Sequence, residues 1–286
     1  MDYGPSGMLA ARREPSVGAQ RASTLLTAVL AACLVLLLAL TLTFASDPTG
    51  RWMRGGRDST HPALPQDVAV APLAAPAPAP SGSGGYKLLE YEDDGSFVPV
   101  RWDPCRPVHY VVRPDGAPPG GELALDRAVA EVQQVTGLRF TDDGETDEGP
   151  MMNRPAQDRA RYGDRWAPVL VAWTDPAEYA HMAGYAGLAG PDAVSGAAPG
   201  RRRYVSGVVY LNRQHLSEVA TWGDGQARID AVVLHELGHL VGLDHVDDPG
   251  ELMYRTPTAQ PHPHGFEAGD RRGPAALSGG PCFRDF

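Results

Sequence analysis

The alternation of apolar and polar positions divides the chain into three unequal stretches. Leu25 to Phe44 is a run of Leu, Ala, Val and Thr with one Cys, and no charge occurs from Ala22 to Ala45. Some 20 apolar residues at about 1.5 Å rise cover about 30 Å, the hydrocarbon thickness, so the pattern predicts one transmembrane helix over 22–45 behind a short tail, 1–21. Over residues 46–85 no period survives. Pro62, Pro65, Pro72, Pro76, Pro78 and Pro80 lead into Ser81-Gly82-Ser83-Gly84-Gly85. Alternating Ala-Pro favours extended polyproline II, so this stretch reads as an unfolded, semi-rigid spacer.

The remaining residues, 86–286, carry folded-domain periodicities. Pro107 to Val112 reads as a strand ended by Pro114-Asp115-Gly116. Leu125, Ala128, Val129, Val132 and Val135 recur at helical spacing, with Gly137 as the stop. Leu138-Arg139-Phe140 starts a short strand that runs into an acidic loop, Asp142 to Glu148. Pro168 to Thr174 and Tyr204 to Leu211 are further apolar strands, separated by a glycine-rich stretch around Tyr185 to Gly200. Ile229 to Leu234 begins another helix, with Asp224 placed to cap it. This order implies an α+β domain, a mixed sheet with helices packed against it.

Charge removes one class of function. The chain has 25 Lys+Arg against 35 Asp+Glu, and residues 86–286 carry 19 against 30, so the folded part is the more acidic. A nucleic-acid binder needs the opposite balance to neutralise phosphates. The basic residues are 24 Arg and one Lys, a bias of GC-rich coding that bears on no mechanism. Flanking Arg residues are even on the two sides of the apolar run, Arg12, Arg13 and Arg21 against Arg51, Arg54 and Arg57, so they do not fix its orientation. A cleaved signal peptide is the rival reading, with Thr43-Phe44-Ala45 as a passable cleavage site. The apolar run exceeds the usual signal core of roughly 7–15 residues and favours an uncleaved anchor.

Chemistry concentrates in His235-Glu236-Leu237-Gly238-His239-Leu240-Val241-Gly242-Leu243-Asp244-His245. Residues four apart on a helix share a face, so His235 and His239 can address one ion. Glu236 can reach a water on that ion without ligating it. Continuing the helix would carry residue 245 away from the metal, at about 100° per residue. Gly242 tolerates the left-handed conformation that turns the chain back and lets His245 add a third nitrogen. Three neutral imidazoles with an open position make a catalytic zinc arrangement, in which Glu236 takes the proton of an acidified water.

A bare His-Glu-x-x-His is a weak signal; the added Gly242 and His245 make it specific. The eleven-residue pattern resembles the zinc signature of the metzincin metallopeptidases, and of matrixins in particular. Leu252-Met253-Tyr254 places Met253 where the family's Met-turn is expected, and Asp270-Arg271-Arg272-Gly273 with Ala276-Leu277 is similar to the start of the matrixin C-terminal helix. The resemblance covers about residues 204–279. It implies a metzincin-like zincin domain over 86–286, a twisted mixed sheet with an active-site helix and a C-terminal helix. It also implies one catalytic zinc, Met253 as an apolar floor under the three histidines, and an extended peptide substrate laid along the sheet edge. The edge residues expected to meet that peptide are Tyr185, Ala186, Gly187, Leu188, Ala189 and Gly190.

Some residues depart from the family. Val246 follows the third histidine where matrixins usually carry Ser or Thr, and Tyr254-Arg255-Thr256-Pro257 replaces the Pro-x-Tyr wall. No match to a second, structural zinc is present. The acidic loop Asp142 to Glu148 has a composition that can bind calcium, but such loops are more often simply solvated. His109, His181 and His215 read as core or surface residues, and His262 and His264 as part of a solvated loop. Asp103-Pro104-Cys105-Arg106-Pro107 lacks the Gly and trailing Asp of the matrixin latency motif. Cys33 falls in the apolar run, which leaves Cys105 and Cys282 as an expected disulfide in an oxidising, extracytoplasmic compartment.

The expectation is therefore a monomeric zinc endopeptidase held to the cell membrane through residues 22–45, acting on extracytoplasmic peptides or proteins and not on nucleic acid. Two alternatives stand beside it: the same enzyme released after signal cleavage, and a zinc-containing binding module without proteolysis. The intact Glu236 weighs against the second, because a non-enzymatic site has no need of a base.

Overall fold

The computed structural model describes residues 61–62, 67–78, 80–81, 84–196, 201–255, 265–278 and 280–283. The tail, the apolar run over 22–45, the spacer up to residue 60, and His262 with His264 lie outside the described residues. Among the described residues no helix is long and apolar enough to cross a membrane.

The elements are β1 (Lys87–Leu88), β2 (Arg101–Trp102), β3 (Val108–Arg113), α1 (Gly121–Thr136), β4 (Phe140–Glu145), α2 (Arg159–Tyr162), β5 (Val169–Thr174), β6 (Gly187–Ser195), β7 (Arg202–Asn212), α3 (Arg213–Val219), α4 (Gly225–Val241), β8 (Leu243–Asp244) and α5 (Ala268–Ser278). Six strands form one mixed sheet. β7, β5, β3 and β4 run parallel in that order, with β2 parallel to the start of β7. β6 lies on the other side of β7, antiparallel, and forms the sheet's edge. The architecture is mixed α+β with a parallel sheet.

Parallel strands are covered on both faces, and β5 shows it: Val169 to Thr174 are all buried. Val169, Val171 and Trp173 join Val209 and Leu211 of β7 in the main core, against Leu125, Val129 and Val132 of α1 and Ile229, Val233 and Leu237 of α4. Leu170, Ala172, Val208 and Tyr210 point to the opposite face, where Tyr179 and Met182 cover them. Over the same face Arg154 is buried in a two-pronged ion pair with Glu148, 2.7 and 3.0 Å, and Tyr162 donates to Glu148 at 2.5 Å. α1 ends where expected: Gly137 is left-handed at φ 72° and its N–H donates to the Gln133 carbonyl.

Several expectations are corrected. The acidic stretch after Phe140 is a strand as far as Glu145, exposed along most of its length. Charge on the outermost parallel strand blunts that edge against pairing with another chain. Cations engage three acids of the strand and the loop after it: Asp143 by His109 and Arg165, Asp147 by Arg161, Glu148 by Arg154. The glycine-rich stretch contains the nine-residue β6, because pairing with β7 supplies what intrinsic propensity does not. Asp224 stands at the N-cap of α4 but does not cap it; its carboxylate takes Arg228 instead, at 2.9 Å. Helix α3 is an element the periodicity did not show, capped by Asn212 through the His215 N–H.

Part of the proline-rich stretch lies along the domain. The Ala69 N–H donates to Cys105 O, Leu73 to Pro104 O and Ala77 to Gln134 O. Asp67 reaches His109 at 2.8 Å. Cys105 and Cys282 are joined by a disulfide that ties the lead-in to β3 to the C-terminal segment. Phe283 beside it is covered by the guanidiniums of Arg101 and Arg203.

Candidate metal centre

Helix α4 is buried continuously from Ala231 to Val241, so its two site histidines enter a dry environment. His235 Nδ1 is 2.8 Å from the Leu252 carbonyl, and His239 Nδ1 is 2.8 Å from the Leu243 carbonyl. A carbonyl only accepts, so each Nδ1 carries the proton and each Nε2 presents a lone pair. These two Nε2 atoms converge on His245 Nε2, at 3.1 and 3.2 Å. At least two of the three converging nitrogens therefore turn lone pairs toward one point. Ligands about 2.0–2.1 Å from a tetrahedral zinc stand about 3.3 Å apart, so the donor set fits that ion. Among the described residues the only other group with metal-binding atoms this close is Asp103 with the disulfide-bonded Cys105 and Cys282.

Electrostatics suit ligation. Burial first, and then the neighbouring imidazoles, hold His235 well below the ordinary histidine range. Burial also lowers His239 and pushes His245 down to about 3. All three are neutral at pH 7, the form that binds metal.

The turn that delivers His245 behaves as its sequence implies. Gly242 has φ 110°, and its N–H closes the helix onto Gly238 O and His239 O. A Cβ there would stand 3.2 Å from Tyr204 Cε2 and 3.3 Å from Leu277 Cδ1, so the position is tight as well as left-handed. The chain then enters β8, which pairs antiparallel with β1, Lys87 with Asp244 and Leu88 with Leu243. On its other side the turn is held by Val246 N–H to Met253 O, 3.0 Å.

Met253 is buried beneath α4, its Sδ packed where a side chain on Gly238 would need to be, 2.5 Å from an ideal Cβ. Two residues not singled out in the sequence hold this turn. Asp270 of α5 accepts from the Leu252 N–H at 2.5 Å and the Met253 N–H at 3.2 Å. In return Glu251 accepts from the Gly269 and Asp270 N–H groups, both at 2.9 Å. Each carboxylate thus satisfies amides of the other's segment, and Glu251 also complements the positive end of α5. Asp270 was visible only as part of an Asp-Arg-Arg-Gly match; a carboxylate next to a Met-turn residue gives no signal of its own.

Glu236 faces the sheet edge. Its carboxyl is buried, and burial pushes it up to about 8. Gly187 of β6 lies directly against it: a Cβ on Gly187 would be 2.5 Å from Glu236 Cγ, Cδ and Oε1. The edge expected to meet a peptide therefore runs beside the carboxylate. Its six residues differ in what they offer. Ala186 O accepts from Asn212 N at 2.9 Å, Tyr185 O from Asn212 Nδ2 at 2.8 Å, and Tyr185 N donates to Met182 O. The Tyr185 backbone and the Ala186 carbonyl are therefore committed inward, while the Tyr185 side chain is exposed.

The matrixin family model (peptidase M10) matches residues 182–278, about a third of the chain. That segment contains β6, β7, the site helix, all three histidines, Met253 and α5. No curated protein matches the chain in sequence. Among solved structures, archaemetzincin from Methanopyrus kandleri is similar at 19% identity over 58% of this chain and 92% of its own, with a TM-score of 0.36. At that score the likeness carries no weight for the site. The matrixin match, on a segment whose three imidazoles converge as a zinc-binding set, supports a metzincin-like zinc metallopeptidase.

Proposed function

We propose that this protein is a zinc-dependent endopeptidase, tethered to the cell membrane through residues 22–45, that hydrolyses extracytoplasmic peptides or proteins. The observation that carries the chemical part is the convergence of the His235, His239 and His245 Nε2 atoms beside a buried Glu236. Zinc held there would supply Lewis acidity and a water with a pKa near about 7. Glu236, buried beside the three nitrogens, would take a proton from the attacking water and hand it to the leaving amine. The β6 edge aligns the peptide by backbone pairing. The tether and the extracytoplasmic placement are supported by the uncharged run over 22–45 and by the oxidised Cys105–Cys282 pair.

The test uses denatured casein and the full-length chain. Wild type should cleave it, a chelator should stop it, and zinc should restore it. Glu236→Ala should retain zinc and lose roughly 10²–10⁴-fold in rate or more. Zinc bound with no cleavage by wild type would leave the binding-module reading in its place. Membrane fractionation of the native protein tests the tether: recovery only in the soluble fraction would remove it.

A further inference from the structure

In an antiparallel ladder, residues alternate between pairs that exchange backbone hydrogen bonds and pairs that do not, and the latter turn their N–H and C=O groups away from the partner. The register of β6 on β7 fixes which are which. Ala186 and Asn212 are bonded, and so by alternation are Leu188 with Tyr210, Gly190 with Val208 and Asp192 with Ser206. Gly187, Ala189 and Pro191 therefore face the open edge. Past a bulge between Asp192 and Ala193 the register changes, and Gly196 N–H bonds to Arg201 O, so Ala193 and Ser195 face outward too.

Two features interrupt that outward row. Pro191 has no N–H to give. The outward carbonyl of Ser195 is occupied by His61 Nε2 at 2.8 Å. Proline on a strand edge, with its missing donor turned outward, is a stop for any further strand. Glu236 marks the other end of the row, against Gly187.

From this register, and resting on the peptidase reading above, we infer that the recognition edge is short: Gly187 and Ala189 make full two-bond pairs with an antiparallel substrate strand, and Pro191 can offer only its carbonyl. Residues on the Pro191 side therefore gain two-bond pairing only as far as the one opposite Ala189. The enzyme is thus built for short contacts on that side of the scissile bond, with little gain from longer extended partners.

The experiment starts from a bond that the zinc-loaded full-length chain cleaves in denatured casein. Peptides spanning that bond are lengthened one residue at a time, from two to six, on each side separately. On one side kcat/KM should rise with the residues that pair to Gly187 and Ala189, two apart, and then level off. In Pro191→Ala, which restores an edge N–H, the residue two beyond the one opposite Ala189 should add about fivefold more than in wild type, the worth of one net hydrogen bond. A wild-type rate that keeps rising through the sixth residue on both sides would overturn the inference. So would a Pro191→Ala length profile identical to wild type, and in both cases cleavage of the shortest peptides leaves the peptidase reading intact. No cleavage of any substrate by wild type would overturn both. Should the variant misfold, the wild-type plateau decides alone.

Discussion

Gly187 on the edge strand stands so close to Glu236 on the site helix that a Cβ there would lie 2.5 Å from the carboxyl group. The sheet edge and the proposed base thus share one small space, and only hydrogen fits at that position. Gly187→Ala should displace the Glu236 side chain while leaving the three imidazoles in place. We expect kcat to fall by about 10²-fold, the cost of about a 1 Å misplacement, with zinc content unchanged. Metal analysis and casein kinetics on the same preparation check both halves.

Exchange between Glu251 and Asp270 holds the turn under the histidines. Asp270→Ala leaves the Leu252 and Met253 amides without partners in a buried site, which should cost about 1–3 kcal/mol or more. Asp270→Asn keeps an acceptor and should cost less. Because Leu252 also provides the carbonyl for His235 Nδ1, zinc affinity should fall in parallel with stability. Thermal melts with and without zinc, and competition with a chelator, measure the two effects.

The disulfide closes a loop with a sequence separation of 177. In the chain-entropy model, removing it should lower stability by about 5 kcal/mol. Cys282→Ser should therefore melt well below wild type. The histidine cluster does not include these cysteines, so zinc stoichiometry should be retained at low temperature.

His109 bonds a carboxylate through each ring nitrogen, Asp143 at 2.7 Å and Asp67 at 2.8 Å. Both nitrogens can donate only in the imidazolium. Burial opposes that charge, but the two carboxylates outweigh it and raise the pKa above the ordinary value. A folded pKa above the unfolded one gives stability that is complete below about pH 6.5 and lost as pH rises through the folded value. His109→Gln should thus be most destabilising at low pH and nearly neutral at high pH. Melting curves of both proteins across that window test it; a pH-independent difference would remove the charged pairing.

What the sequence determined by itself is the local chemistry. His235, Glu236 and His239 share a helix whose geometry is set by backbone hydrogen bonds, and Gly242 ends it for a steric reason written in its residue type. The strand at Val169–Thr174 was legible because burial on both faces leaves a continuous apolar run, and those at Val108–Arg113 and Arg202–Asn212 because apolar and aromatic residues cluster within them. Only the tertiary structure decided the relations between distant segments. It turned a glycine-rich stretch into an edge strand, since pairing with β7 outweighs glycine's poor propensity. It gave the histidines their tautomers through the carbonyls of Leu252 and Leu243, groups every residue possesses and no side-chain pattern reveals. It drew Glu251 and Asp270 together across the base of the site. The length of the recognition edge belongs to this second kind: Pro191 is plain in the sequence, but whether its missing N–H faces β7 or the open edge depends on register, which is fixed by the pairing of two strands.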